Sequence, residues 1–161
     1  SPRPHGMNRP AAPGLEFVFA IQADIAPPRS SGQGLAGERL HIPILGGVVE
    51  GPRLKGRILP GGSDWPLIRA DGASAIEAIY TIEAEDGTLI LVRNRGLRVS
   101  APDVLARLRA GEKVEPTDYY FRSAPEFDVP DGPHQWLRES LFAASLAPAG
   151  KSIAIDVHRI T

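Results

Sequence analysis

Residues 15–25, LEFVFAIQADI, set Leu15, Phe17, Phe19 and Ile21 against Glu16, Val18, Ala20 and Gln22. This period of two, rich in aromatic and β-branched residues, predicts a strand with one face on a core. The same pattern returns in SAIEAIYTIEA, where Ile76, Ala78, Tyr80, Ile82 and Ala84 share one side, and in TLILVRNRGLR, only EDG later. Asp-Gly between two alternating runs is a strong hairpin signal, so these strands pair antiparallel. DYYFRSAPEF, QWLRESLFAASLA and KSIAIDVHRI also read as extended, although Leu137, Leu141 and Ala144 in the middle segment fit helical spacing as well. One helix is expected, in APDVLARLRAGE, with Ser100 or Asp103 as its cap and Gly111 at its end.

Between these elements lie glycine- and proline-rich stretches. APPRSSGQGLAG reads as a loop, one that could move and cover a cavity. GGVVEGPRLKGRILPGGSDW, residues 46–65, tests as a phosphate loop and fails, because Arg57 and Ile58 stand where Lys and Ser/Thr are needed and no helix pattern follows. The dinucleotide fingerprint, G-x-G-x-x-G between strand and helix, is absent from this stretch too. Its glycines read instead as turns and bulges that bend strands, which lets a sheet close around a cavity and aims Asp64 and Trp65 at its mouth. Seven to ten short strands with one helix predict an all-β fold, an antiparallel β-barrel, closed or nearly closed.

Composition narrows the function classes. At 161 residues, 42% hydrophobic and 23% charged, the chain fits one globular domain, expected over 15–161. Residues 1–14 are expected to be a disordered tail, the part before Met7 a cloning remnant. A net charge of −1 without a basic run argues against nucleic acid and anionic membrane partners. With no cysteine there is no disulfide, thiolate nucleophile or Fe–S cluster. No apolar run approaches the roughly 18 residues that span a bilayer, and a cytoplasmic location is the expectation. The four histidines, His5, His41, His134 and His158, have no metal-ligand spacing, so no metal and no cofactor are expected. No G-x-S-x-G elbow is present, and covalent catalysis is not indicated.

The run GP-x-L-x-G-x-x-L-P-G-G-x-D-W, together with DGASAIEAIYTIEAEDGTLILVRNRG, YYFRSAPEF and WL, resembles the DUF3237 family, also called UPF0311, of small bacterial and fungal proteins. The resemblance covers Leu15 to Ile160 and implies a β-barrel of about 150 residues with a cavity. The positions that match the family pattern, and so become cavity candidates, are Asp64, Trp65, Tyr80, Asn94, Tyr120, Arg122 and Trp136. Three positions depart from it: Ile79 stands in place of an Arg, Asp128 of a Glu and Arg138 of an Asn. If that Arg pairs with a substrate anion in the family, the role here is lost or relocated.

Asp64 and Asp128 are the candidate acid/base residues, since a carboxyl beside tryptophan in an apolar cavity has its pKa raised toward neutrality. A turn-capping Asp64 is the competing account. The ligand-binding candidates are His41, Trp65, Tyr80, Asn94, Tyr120, Arg122 and Trp136. Tyr80 also reads as a core tyrosine, both tryptophans as packing, and Arg122 as an ion-pair partner of Asp128 or Glu126. The pattern supports a barrel that binds a small apolar or aromatic molecule, either as a cofactor-free acid/base enzyme (isomerase, cyclase, lactone or enol hydrolase) or as a carrier or sensor. A filled barrel serving as a structural or interaction protein is the third reading, and exposed aromatics allow a homodimer.

Overall fold

The Asp86-Gly87 turn joins two eleven-residue strands, β7 (Ser74–Ala84) and β8 (Leu89–Val99), in continuous antiparallel register from Ser74↔Arg98 to Glu83↔Leu89. Gly87 takes φ +85, which only glycine adopts without strain, and the Asp86 carboxylate accepts the Thr88 N–H at 3.0 Å. The computed structural model describes residue 6 and residues 8–161. The expectations for a remnant before Met7 and for His5 therefore lie, Gly6 apart, outside the described residues.

The remaining strands are β1 (Leu15–Ile25), β2 (Arg29–Gly34), β3 (Gly37–Glu50), β4 (Gly56–Ile58), β5 (Gly62–Asp64), β6 (Leu67–Ile68), β9 (Tyr120–Asp128), β10 (Leu141–Ala149) and β11 (Ser152–Ile160). Going round the sheet, β1, β11, β10, β9, β8 and β7 are neighbours, and β4, β5 and β6 form one interrupted strand between β7 and β3. Pairing of β3 with β1 from Ile44 to Glu50 closes an antiparallel barrel of eight staves, and β2, paired with β3 alone, lies outside the ring. Closure depends on close backbone approach. A Cβ on Gly47, at φ +155, would lie 2.1 Å from the Gln22 carbonyl oxygen on β1.

Three local expectations change. APPRSSGQGLAG contains β2, which pairs with β3 as an exposed hairpin braced by Ser30 Oγ donating to Glu38 at 2.5 Å. No alternation marks it, because neither face is buried. QWLRESLFAASLA splits into a 3₁₀ turn at Gln135–Arg138 and then β10, which accounts for its mixed periodicity. The helix α1 spans Pro102–Arg109, with Ala101 as N-cap and no side-chain cap bond; Pro102 at its first turn sets the start instead. No helix among the described residues is long and apolar enough to cross a membrane.

One end of the barrel is filled. Phe19, Phe127 and Phe142 meet edge to face with centroids 5.0–5.8 Å apart, packed with Val49, Ile58, Ile82, Ile90 and Val157. Leu137 and Trp136 of the 3₁₀ turn lid this end. The other end, ringed by Pro28, Leu40, Pro66, Arg98 and Ile153, is hollow.

Candidate functional site

The interior at the hollow end holds a cavity of about 180 Å³. One wall is apolar: Ala23 and Ile25 of β1, Leu146 of β10, Ile153 and Ile155 of β11. The facing wall carries the polar groups Asp64, Ser74, Tyr80, Asn94 and Arg98 from β5, β7 and β8. The register explains the grouping. Ile42, Asp64, Ala78, Asn94 and Pro125 lie opposite one another on successive strands, so their side chains enter at one level. Asp64 and Asn94, two strands apart across the small Ala78, have Cα atoms separated by about 10 Å.

Asp64 is placed by glycine chemistry one turn upstream. Gly62 lies against β7 so closely that a Cβ there would sit 2.5 Å from Tyr80 Cβ and 2.6 Å from the Ile79 carbonyl oxygen. Strand alternation then turns Asp64 inward. Its Oδ1 accepts the Glu77 N–H at 3.1 Å, but the carboxyl is held among apolar side chains. Burial pushes its pKa up to about 6, against the lowering effects of backbone N–H groups and the Arg98 charge. Burial, helped by the Asp64 charge, likewise pushes the Tyr80 hydroxyl above its ordinary range.

Asn94 is 2% exposed, and its Oδ1 has no hydrogen-bond partner. A buried amide oxygen without a partner costs free energy of roughly 1–3 kcal/mol unless something donates to it. Two residues further along β8 is Gly96, where β9 approaches closely: a Cβ there would lie 2.6 Å from the Arg122 carbonyl oxygen and 2.7 Å from Ser123 Cβ. Arg98 is half-buried, with Nη2 donating to Ser74 Oγ at 3.4 Å and its guanidinium carbon 5.8 Å from the Phe121 ring centre.

Of the candidates read from sequence, Asp64, Tyr80 and Asn94 meet in this cavity. The others lie elsewhere. His41 and Trp65 are on the outer surface, stacked at 5.6 Å, with His41 Nε2 hydrogen-bonded to Ser63 Oγ at 2.8 Å. Tyr120, Arg122 and Asp128 alternate outward along β9, all exposed, while Phe121 and Phe127 point in. Arg122 donates to the Phe121 carbonyl at 3.0 Å and forms no ion pair with Asp128 or Glu126. Trp136 lids the filled end, under the Arg53 guanidinium at 3.9 Å.

Sequence reasoning misses Arg98, although the inward series Ile90, Val92 and Asn94 extends to it through Gly96. Ile79, in the place of the family Arg, faces out at 37% exposure, so an arginine there would not reach the cavity. Among the described residues no three His, Asp or Glu side chains converge as a metal site.

Comparisons with known proteins agree with this architecture. The chain is 39% identical over 145 residues to a UPF0311 protein of Rhodopseudomonas palustris, covering 90% of this chain and 95% of that one. A crystal structure of a conserved protein of unknown function from the same species superposes with a TM-score of 0.90 at 37% identity, over 94% of this chain and 100% of that one. A more distant similarity, 33% over 85 residues, covers 53% of this chain and 56% of a hydroalkoxylation enzyme from Penicillium herquei. Residues 13–160 match the family described as a protein of unknown function, DUF3237, and at this coverage the chain belongs to that family.

Proposed function

We propose that the barrel is a cofactor-free acid/base enzyme that binds a small, largely apolar organic molecule in the hollow end and uses Asp64 to move a proton on it. The observation that carries this reading is the Asp64 carboxyl inside an apolar cavity, with a pKa near 6, facing the unpartnered Asn94 Oδ1. A group that titrates near neutrality both gives and takes a proton at working pH. An unpartnered buried amide oxygen is satisfied by a ligand O–H or N–H.

Size supports the same reading. A cavity of about 150 Å³ accommodates one benzene ring, so 180 Å³ suits a single ring with small substituents, its remainder extending through the mouth. The chemistry best matched is addition of a substrate hydroxyl across a carbon–carbon double bond, a hydroalkoxylation, which is the activity in the name of the Penicillium herquei relative. The Asp64 proton goes to one alkene carbon, the substrate oxygen bonds to the other, and the hydroxyl proton returns to the carboxylate. No oxidant or co-reactant is consumed. Asn94 Oδ1 accepts from a second donor on the substrate and so orients it, and the apolar wall of β1 and β11 excludes water from the carbon centre.

The test is incubation with a bacterial metabolite extract, followed by native mass spectrometry and chromatographic separation of isomers. The wild type is expected to convert a retained compound into an isomer of equal mass, while Asp64→Asn binds it without converting it. Equal conversion by both proteins refutes the role of Asp64. Retention without conversion by either leaves a carrier.

A further inference from the structure

Arg98 has no evident structural purpose at its position. It is half-buried at the cavity wall, its one side-chain hydrogen bond is the 3.4 Å contact to Ser74 Oγ, and none of the ion pairs among the described residues includes it. A guanidinium carries five N–H donors in a planar fork that matches a carboxylate. Removing such a group from water without a partner is unfavourable, and structures retain it where something else supplies the negative charge.

The surrounding groups point the same way. Arg109 of α1 is near enough to push the Arg98 pKa down alongside burial, and Arg98 and Arg122 both act on Tyr119 beside them. The one carboxyl that acts on Arg98 is Asp64, and the two form no ion pair. The mouth is therefore cationic over an apolar, ring-sized space, and the Phe121 ring on one side of the guanidinium leaves its remaining donors for a ligand.

We infer that the molecule bound in the hollow end is a single-ring organic anion whose carboxylate docks on Arg98 at the mouth, with its ring against the apolar wall and its hydrogen-bond donor on Asn94. This rests on the reading of the cavity as a ligand site and names the class of ligand. Arg98 and Asn94 are four residues apart on one face of β8, about 13 Å between Cα atoms. The length of the arginine side chain shortens that gap to the span of a substituted ring.

4-Hydroxybenzoate and 4-hydroxybenzyl alcohol, alike in ring and phenol donor and different in charge, serve as probes. Binding is followed by the side-chain amide signal of Asn94 in NMR titrations of the wild type, Arg98→Met, Arg98→Lys and Arg93→Met. Arg93 lies on the outer face of the same strand and controls for net charge. 4-Hydroxybenzoate is expected to bind the wild type at least about tenfold more tightly than 4-hydroxybenzyl alcohol, as a charge-assisted pair requires. Arg98→Met removes that preference, Arg98→Lys keeps part of it, and Arg93→Met leaves it unchanged. The lysine variant, which keeps charge and stem, carries the test where the methionine variant does not fold. 4-Hydroxybenzyl alcohol bound as tightly as 4-hydroxybenzoate, or 4-hydroxybenzoate affinity unaltered by loss of Arg98, overturns the anion assignment while the cavity reading stands. No response at Asn94 to either probe overturns both.

Discussion

Replacing Asp64 by Asn should stabilise the protein at neutral pH while removing its proton-transfer group. The folded pKa of about 6 lies above the ordinary 3.8. Between these values the unfolded chain has already released the proton that the folded chain keeps, so stability falls as pH rises through this window. The neutral acid's advantage is fully present below pH 3.8 and lost above about pH 6. At about 1.36 kcal/mol per unit the shift corresponds to roughly 3 kcal/mol, and water entering the open cavity reduces this to roughly 1–2 kcal/mol. Asparagine keeps the acceptor for the Glu77 N–H and never ionises. Urea unfolding of both proteins at pH 4, 5, 6 and 7.5 isolates the effect, because other titrating groups cancel in the difference. The expected result is near-equal stability at pH 4 and a gap favouring Asp64→Asn that opens through pH 5–6. A gap independent of pH, or a less stable variant at pH 7.5, would refute the assignment of Asp64 as a desolvated carboxyl.

Three further outcomes follow from the same geometry. Gly62→Ala forces a Cβ to 2.5 Å from Tyr80 Cβ, and urea unfolding should show a loss of about 1–3 kcal/mol. Ala78→Leu places extra carbon into the cavity between Asp64 and Asn94, so ligand retention in native mass spectrometry should disappear while stability changes by less than about 1.5 kcal/mol. Arg53→Ala breaks the stack on Trp136 and the 3.1 Å ion pair with Glu16 at the filled end, costing about 1 kcal/mol in unfolding and leaving probe binding unchanged.

The barrel was legible because strands with one buried face record it as alternation. Ile76 through Ala84 and Ile90 through Asn94 give the phase of β7 and β8 directly. β2 was illegible for the opposite reason: exposed on both faces, it has no phase to read. The candidate site was half legible. Phase alone places Tyr80 and Asn94 inward, and the same rule, applied to β9, sends Tyr120, Arg122 and Asp128 outward once Phe121 and Phe127 are taken as core. His41 falls outside by the same count from Leu40 and Ile42. What the pattern of one strand does not give is the register between strands, which alone sets Asp64 level with Asn94 and brings Arg98 to the mouth.

The two ends of the barrel divide the energetics. The phenylalanine cluster and the lid of the 3₁₀ turn bury the large apolar side chains at one end, where packing is dense. That end needs no ligand. At the other end the wall carries three features that each lower stability: a carboxyl held above its ordinary pKa, an amide oxygen without a donor, and a half-buried guanidinium in no ion pair. A fold selected for stability alone would place leucine or valine at these positions, as β7 and β8 do at Ile82, Ile90 and Val92. The three groups have complementary needs: a proton donor or acceptor, a hydrogen-bond donor and an anion. One molecule of ring size supplies all of them at once, so its binding energy offsets penalties already present in the empty barrel. Thermal stability should therefore rise on binding of a cognate ligand by more than its apolar area alone accounts for. 4-Hydroxybenzoate against 4-hydroxybenzyl alcohol in a thermal-shift series provides the comparison; equal shifts for the two would leave the guanidinium without a role in the stabilisation.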